Sequence, residues 1–501
     1  MSQPLPQAFD DIDDTSQLDL PIEGSPFRAP EAIRVPRAER VFVNRNLKMS
    51  TIDWLGFDMD YTLAIYNQSA MDALSVDLTV QRLIQKGYPE YLKDLEYDIR
   101  FPIRGLIVDK RLGHVLKMDR FKAVYKGYHG MTRLTPEYLQ AQYHDVKIRP
   151  NTSRYHWIDT LFSLCEVTAY AAIVEALERR GVEINYGQLF QDVRDSIDGA
   201  HRDGDVYRMV TADLPRYLDA DPHLAATLHK FRSAGKKLFL LTNSPWHYTD
   251  RVMTHLLGSA SPEYPNWRLY FDVAICAAQK PHWFHEGRQF LERVGDLLRP
   301  VRGPLERGAI YEGGNLEDFE RLVGVRGEEV LYIGDHIYGD ILRSKKVSSW
   351  RTAMIIQEMD AEVLAHERCL DALARQRELE EAKDRLEDQL RYYQAQLKEY
   401  SRSTQGNGQA SSQKQRLKTA IEELRKDAHT IDHEHEELHD QIDAVFHPYW
   451  GSLLKEGKGL SSFGVQVENY ADVYTRRVSS FRHYSPQQYF RSPHDVMPHE
   501  R

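Results

Sequence analysis

Four short apolar runs, each followed at once by polar residues, constrain the fold of this chain most strongly. Continuous apolar runs of this kind suit strands that are buried on both faces of a parallel sheet. Because the carboxyl ends of parallel strands meet at one edge, we expect the polar residues after them to line one crevice. The sequence therefore predicts an α/β fold with a doubly wound parallel sheet. The runs are residues 53–57, 237–241, 272–276 and 330–333.

The first two runs are separated by about 180 residues, far more than a crossover connection requires. Apolar residues recur in this interval at helical spacing, over 160–180 and 186–201. We therefore predict an inserted, mostly helical cap domain at 67–214. The α/β core is then assembled from 39–66 and 215–358.

After the core, the composition changes to Glu, Lys, Arg, Gln and Leu. Apolar residues recur there at alternating spacings of four and three, on both sides of a Gly-containing turn at 401–413. This pattern predicts an antiparallel, coiled-coil-like helical hairpin at 359–446, with a coiled coil between two chains as the alternative. The aromatic-rich segment 447–501 is expected to pack on the core, and the Pro- and Asp-rich residues 1–38 to form a loose N-terminal arm.

Composition and charge argue against several classes of protein. The chain has 65 Lys and Arg against 75 Asp and Glu, and its net charge of −10 argues against nucleic-acid binding. Three widely separated cysteines favour a reduced compartment. The N-terminal residues lack an apolar signal sequence, and no apolar run approaches the ~20 residues of a membrane span. We expect a cytoplasmic protein that binds neither nucleic acid nor membrane.

Polar groups that suit phosphate chemistry follow all four predicted strands. By itself, the DxDxT pattern at 58–62 can equally be turn chemistry or a helix cap. The other strands add a hydroxyl with backbone N–H groups at a predicted helix start, and a fixed positive charge. Four acids at one edge repel one another unless a cation lies among them, and carboxylate oxygens select Mg²⁺. These residues are Asp58 and Asp60, then Thr242, Asn243 and Ser244, then Lys280, and finally Asp335 and Asp340.

In this order the motifs resemble the four motifs of the haloacid dehalogenase (HAD) superfamily of phosphohydrolases. Longer strings resemble the cytosolic purine 5′-nucleotidases that prefer IMP and GMP, and this resemblance extends from about residue 40 to residue 500. The strings are FDMDYTL at 57–63, FQDVRD at 190–195, YIGDHIYGDIL at 332–342 and MPHE at 497–500.

The resemblance implies hydrolysis of IMP and GMP through an aspartyl phosphate. Asp58 would be the nucleophile, and Asp60 would protonate the leaving 5′-oxygen and then activate water. Thr242 and the Asn243 amide would hold phosphoryl oxygens, while Lys280 would offset negative charge. Attack by a nucleoside hydroxyl in place of water would add phosphotransferase activity.

The same resemblance implies how Mg²⁺ is bound. Its protein ligands would be a carboxylate oxygen of Asp58, the backbone carbonyl of Asp60, and Asp335. Asp340 would orient the metal-bound waters. Loss of Asp58 is then expected to abolish turnover rather than to weaken binding.

Several residues of the predicted cap are candidates for base recognition. From spacing alone, Arg194 and Asp198 can form a surface ion pair, and Phe162 can be a core aromatic. The resemblance implies instead that Arg194, oriented by Asp198, donates to O6 and N7 of a 6-oxopurine and so disfavours AMP. Phe162 would stack on the base. The predicted substrate site also includes Ser163, His201, Thr242, Asn243, Ser244 and Lys280.

Some positions depart from the family pattern. Tyr207 stands near a position where the animal enzymes carry a substrate-contacting Lys, which leaves the base preference open. Glu468 and Asn469 occur where a basic effector-contacting residue is expected, and Asp159 stands where Asn is usual. Activation by nucleotides is therefore not predicted.

Other functions are open as alternatives. The HExxH string at 435–439 matches a zinc-protease signature, but it lies within the heptad run at a helix–helix seam. An inactive HAD scaffold that acts through its hairpin is a second alternative, and a phosphatase of another small phosphometabolite is a third. Because related enzymes form dimers and tetramers, a homo-oligomer is the expected assembly.

Overall fold

A computed structural model describes residues 35–150, 152–258, 262–336, 340, 348–403, 408–457 and 459–493. Most of the predicted N-terminal arm and the string at 497–500 lie outside the described residues. Within the described ranges, no helix combines the length and the apolar character needed to cross a bilayer.

A ten-stranded sheet forms the core, and its central strands run parallel. Trp54–Phe57 lies at its centre, between Val330–Gly334 and Lys237–Leu241, so the predicted strands are neighbours. Among the described strands of this sheet, antiparallel pairs occur only towards the two edges. In spatial order the strands are Phe42–Val43, Val473–Thr475, Arg351–Ile355, Val330–Gly334, Trp54–Phe57, Lys237–Leu241, Val273–Cys276, Ile310–Gly313, Phe290–Val294 and Leu297–Pro300.

Alternate residues of the central strands enter two hydrophobic clusters. Leu238 and Leu240 pack in one cluster, whereas Phe239 and Leu241 pack in the other, and all four are fully buried. Both faces of the sheet are therefore covered, which is why the strand reads as a continuous apolar run. The predicted α/β fold is confirmed. Helices of the core include Leu224–Ser233, Trp246–Leu257 and Leu316–Val323.

A large insertion interrupts the core after its central strand. The short strands Ile65–Tyr66 and Leu218–Asp219 pair with each other where the chain leaves and rejoins the core. Side-chain caps start two of the helices between them, since Asn67 accepts from the Ala70 N–H and Asn185 from the Gln188 N–H. The helices are Gln68–Gln85, Pro136–Tyr143, Leu164–Glu178, Tyr186–Arg202, Asp205–Ala212 and Leu214–Tyr217.

The insertion also contains a five-stranded antiparallel sheet that the sequence pattern does not predict. Its strand His114–Met118 is buried throughout, although it includes Lys117. The Lys117 ammonium lies 2.6 Å from Glu456 and donates to three backbone carbonyls. Because this buried lysine interrupts the apolar run, the sequence pattern does not indicate the strand. In spatial order the strands are Thr132–Arg133, Val124–His129, His114–Met118, Leu106–Asp109 and Tyr155–Ile158.

Three helices follow the core, Met359–Arg368, Leu370–Ser403 and Gly408–Phe446. The two long ones pack antiparallel within one chain, with ion pairs between Arg375 and Glu434 at 2.7 Å and between Lys383 and Asp432 at 2.5 Å. The helical hairpin is therefore confirmed. Its helices extend into the predicted turn at 401–413, of which residues 404–407 lie outside the described ranges.

The C-terminal segment returns to the core. Trp450 is fully buried, and its indole N–H donates to the Phe101 carbonyl at 2.6 Å. The strand Val473–Thr475 extends the main sheet. The segment also contains helix Ser462–Tyr470, and it contributes to two small antiparallel pairs, Lys455–Glu456 with Gly459–Leu460, and Leu47–Lys48 with Tyr489–Phe490.

Candidate active site

Asp58 lies directly beyond the central strand of the sheet. Its backbone N–H donates to the Ile333 carbonyl at 2.9 Å, so the neighbouring strand fixes its position. One carboxylate oxygen accepts from the Met59 N–H at 2.7 Å and lies 2.9 Å from the Lys280 ammonium. The carboxylate is thus anchored beside a fixed positive charge at the carboxyl edge of the sheet.

Lys280 is buried and joins two acids. Its ammonium lies 2.6 Å from Asp340 in addition to its contact with Asp58, and it donates to the Tyr332 hydroxyl at 3.0 Å. The side-chain amide of Asn243 accepts from the Lys280 N–H and donates to the Lys280 carbonyl at 2.9 Å. Asn243 therefore positions the lysine. Burial alone would lower the pKa of Lys280, but Asp340 and Asp58 raise it well above its usual value.

Asp58, Asp335 and Asp340 form a buried cluster in which one carboxylate oxygen from each residue lies within 4.8 Å of the other two. A Cβ at position 334 would lie 2.5 Å from Asp340, so only glycine allows this close approach. Burial and the neighbouring acids raise the pKa of Asp58 well above its usual value, against the opposing effect of Lys280. Burial and Asp340 raise the pKa of Asp335 to about 7.

This cluster fits a divalent cation. Of the three buried carboxylates, Asp58 and Asp340 share contact with one ammonium, that of Lys280, so negative charge is in excess. The all-oxygen donor set is the kind that binds Mg²⁺. The side chain of Asp60 is not part of this cluster, and its predicted contribution to the metal is through its backbone carbonyl.

Asp60 is held by hydroxyl groups. One carboxylate oxygen accepts from the Ser244 hydroxyl at 2.6 Å, and Thr242 lies 3.5 Å from the same oxygen. The other oxygen accepts from the Tyr66 hydroxyl at 2.6 Å, and this hydroxyl lies 2.8 Å from that of Tyr248. Burial raises the pKa of Asp60, while the bonds from Ser244 and Tyr66 oppose the shift.

Backbone N–H groups at the end of the next strand are suited to an anion. Thr242 is fully buried, and its hydroxyl accepts from the Ser244 N–H at 3.1 Å. The backbone N–H of Asn243 has no acceptor within the described residues. A phosphoryl oxygen is the type of group that satisfies such a donor.

Contacts between aromatic rings connect the cap residues predicted to recognise a base with residues beside Asp60. The half-buried Phe162 ring packs edge-on against Tyr61 at 4.6 Å and lies 5.9 Å from His201. Tyr207, on the helix that follows, lies 4.6 Å from the ring of Tyr248. The structure therefore places Phe162 and His201 on the cap side of the site.

Arg194 has a partner other than the predicted one. Its Nε lies 3.4 Å from the buried carboxylate of Glu166, which also accepts from the Ser163 hydroxyl at 3.0 Å. Burial raises the pKa of Glu166 to about 7, against the opposing charge of Arg194. Asp198 is exposed, and the acid that contacts Arg194 is Glu166. Spacing along one helix cannot reveal an acid contributed by another helix.

The sequence model of the 5′ nucleotidase family matches residues 41–501. The chain belongs to this family. A 5′-nucleotidase domain-containing protein of Dictyostelium discoideum is 29% identical over 479 residues, which are 92% of this chain and 74% of that protein.

Solved structures of HAD proteins resemble parts of this family member. A HAD phosphatase from Thermococcus onnurineus matches 61% of this chain and 87% of its own length, with 14% identity and a TM-score of 0.24. A predicted phosphoglycolate phosphatase from Haemophilus somnus matches 61% and 85%, with 13% identity and a TM-score of 0.26. Such weak similarities support no functional inference, but membership of the nucleotidase family makes the protein a phosphoric monoester hydrolase.

Sequence reasoning misses a buried arginine of this nucleotidase. Arg104 is 1% exposed, donates to the Asp335 carbonyl at 2.9 Å and forms two bonds with Glu358, at 2.8 and 2.6 Å. It thereby ties the insertion to the loop that carries Asp335. Its partners are more than 200 residues away, so no local motif announces it.

The HExxH string is part of the hairpin seam. Gln376 of the opposite helix lies 3.4 Å from His435 and 3.5 Å from His439. Among the described residues, neither histidine belongs to a group of three side chains that could hold a metal ion. These contacts place both histidines at the helix–helix seam, as the heptad pattern predicts.

Proposed function

We propose that this family member is a Mg²⁺-dependent 5′-nucleotidase that hydrolyses purine nucleoside 5′-monophosphates, IMP and GMP, through an aspartyl phosphate. The observation that carries the proposal is the buried cluster of Asp58, Asp335 and Asp340, in which Asp58 and Asp340 contact the Lys280 ammonium. Its excess negative charge suits a divalent cation, and its first acid is placed to accept a phosphoryl group.

In the first step, an Asp58 carboxylate oxygen attacks phosphorus and the bond from phosphorus to the ribose 5′-oxygen breaks. Lys280, 2.9 Å from Asp58, offsets the charge of the transferring group. The N–H of Asn243 and the hydroxyl of Thr242 are the donors for phosphoryl oxygens. Asp60 gives its proton to the leaving 5′-oxygen, so the nucleoside departs neutral.

In the second step, Asp60 takes a proton from water and the resulting hydroxide attacks phosphorus. The bond from phosphorus to Asp58 breaks, which releases phosphate and restores the carboxylate. The same carboxyl thus acts first as acid and then as base. A nucleoside hydroxyl in the place of water would give phosphotransfer, and we propose this as a secondary activity.

The residues that would hold Mg²⁺ are Asp58, Asp335 and Asp60, the last through its backbone carbonyl, with Asp340 orienting bound water. When bound, Mg²⁺ supplies positive charge to the phosphoryl oxygens. Lys280 and Arg104 already hold this arrangement from two sides, since they contact the Asp58 carboxylate and the Asp335 carbonyl, respectively.

The preference for a 6-oxopurine is proposed from the cap residues. Arg194, now oriented by Glu166, can donate to O6 and N7 of a 6-oxopurine. AMP carries an amino group at position 6, which is itself a donor and cannot accept the hydrogen bond from Arg194. Phe162 supplies a ring for stacking, with His201 beside it and Ser163 held by Glu166.

The setting of the enzyme is also a proposal. Its three cysteines are buried and unpaired, as expected of a cytoplasmic protein. We propose a homo-oligomer, a dimer or a tetramer, that acts on a small nucleotide without nucleic acid or membrane. Light scattering of the purified protein tests the assembly.

A phosphate-release panel tests the activity. IMP, GMP, AMP, UMP and glucose 6-phosphate are each assayed with Mg²⁺ or with EDTA, and Asp58→Asn serves as the isosteric control. We expect fast release from IMP and GMP, slow release from AMP, and none in EDTA or from the variant. Fastest release from the sugar phosphate would favour another phosphometabolite, and no release from any substrate would favour an inactive scaffold.

A further inference from the structure

We propose that Tyr66 is a positioning residue for the acid–base carboxyl of Asp60, and that Tyr248 fixes the direction in which Tyr66 donates. This inference rests on the proposed function, because it concerns the proton transfers assigned there to Asp60. Neither tyrosine is among the residues that the motifs of the chain single out.

Both carboxylate oxygens of Asp60 are already engaged by hydroxyl groups. Tyr66 donates to one oxygen and Ser244 to the other, each at 2.6 Å. A carboxylate that accepts a hydrogen bond at each oxygen cannot rotate freely about the bond to Cβ. The orientation needed for proton transfer is therefore set before substrate binds.

The direction of the hydrogen bonds follows from the donor count. Each phenol has one proton, and an ionised carboxylate can only accept. When Asp60 is ionised, Tyr66 gives its proton to Asp60, and Tyr248 is then the donor in the 2.8 Å contact between the two phenols. Tyr66 and Tyr248 are only 2% and 5% exposed, and burial raises the pKa of both phenols, which keeps the protons in place.

The position of Tyr66 is itself set by the insertion. Tyr66 pairs with Leu218 in the short two-stranded sheet where the cap leaves and rejoins the core. Its ring packs against Tyr61 at 5.0 Å and lies 6.2 Å from Phe162. Tyr248 is covered by Tyr207 of the cap at 4.6 Å. The acid–base carboxyl is thus held by groups that the attachment of the cap brings together.

The test compares two leaving groups. Ribose 5′-oxygen needs a proton to depart, whereas p-nitrophenolate departs without one. If Tyr66 positions the acid, Tyr66→Phe should slow nucleotide turnover by about 10- to 100-fold with an unchanged KM, which is part of the about 10²- to 10⁴-fold that acid–base catalysis contributes. With p-nitrophenyl phosphate, the first release of p-nitrophenol should keep the wild-type rate, and only later turnovers, which need Asp60 as base, should be slow.

Three variants make the result decisive. Tyr248→Phe should show the same leaving-group pattern with a smaller loss, and it keeps the bond to Asp60 should Tyr66→Phe fold poorly. Tyr170→Phe removes another buried phenol, which donates to the Tyr186 carbonyl at 3.2 Å, and should leave both rates unchanged. Asp60→Asn removes the acid–base carboxyl itself and so measures the full loss of rate with each leaving group.

The outcomes separate this inference from the proposed function. An equal loss of the first-turnover rate with both leaving groups, or no loss in Tyr66→Phe while Asp60→Asn shows the pattern, would overturn the positioning role alone. Absence of the pattern in Asp60→Asn would overturn the acid–base assignment of the proposed mechanism itself.

Discussion

Replacement of Asp335 by Asn tests whether the acids are gathered for a cation. The side chain is 3% exposed, and burial together with the charge of Asp340 raises its pKa to about 7 from a usual value of 3.8. The folded protein therefore binds this proton more tightly than the unfolded chain does. As a result, the contribution of Asp335 to the free energy of unfolding falls as the pH rises from about 4 to about 7, and this loss is complete above that range.

The size of the effect follows from the same shift. At 1.36 kcal/mol per pH unit, ionised Asp335 destabilises the metal-free protein at about pH 8 by at most about 4 kcal/mol. Asn has the same shape without the charge. In EDTA at about pH 8 we expect Asp335→Asn to melt at a higher temperature than the wild type, and the difference should vanish towards about pH 4.

Addition of Mg²⁺ should reverse the order of stability. The wild type binds the ion and gains about 2.7 kcal/mol at a free concentration of 100 times Kd, whereas the variant has lost a ligand. Thermal melts with and without Mg²⁺ measure both effects, and Asp145→Asn, fully exposed on the insertion, is the control that should change neither. A variant that melts below the wild type in EDTA, or that gains equally from Mg²⁺, would refute the reasoning.

Other perturbations have expected outcomes of similar clarity. Asp58→Ala should reduce phosphate release to background, by about 10⁴-fold or more, because the nucleophile is gone; retained hydrolysis would contradict the mechanism. Lys280→Met should lower kcat by about 10²- to 10³-fold, measured at saturating substrate. Arg104→Met should weaken the binding of Mg²⁺ by about 10- to 100-fold, measured by titrating activity with Mg²⁺, because the Asp335 carbonyl loses its hydrogen-bond donor. Burial raises the pKa of Asp72 to about 7, although a hydrogen bond from Gln68 opposes the shift. The contribution of Asp72 to stability is therefore lost as the pH rises towards that value. Asp72→Asn should melt at a higher temperature than the wild type at about pH 8 but not at about pH 4.

The buried cluster of acids was predictable because Asp58 and Asp335 directly follow the strands that end at Phe57 and Gly334. The register that sets Leu55 beside Leu238 and Leu331 aligns the ends of three central strands. Asp58 and Asp335 consequently meet within reach of one ion. Only the contacts inside the cluster, such as the clamp of Asn243 on the backbone of Lys280, needed the structure.

The sequence by itself determined the sheet, the hairpin and the acids at the strand ends, because these depend on the spacing of apolar residues over a few turns or strands. Tertiary structure alone decided which distant groups support them. The pairing of Arg104 with Glu358, of Arg194 with Glu166, and of Tyr66 with Tyr248 joins different elements of the chain. Such partners are chosen by packing in three dimensions, where a buried polar group takes whichever partner lies within hydrogen-bond reach, at any distance along the chain.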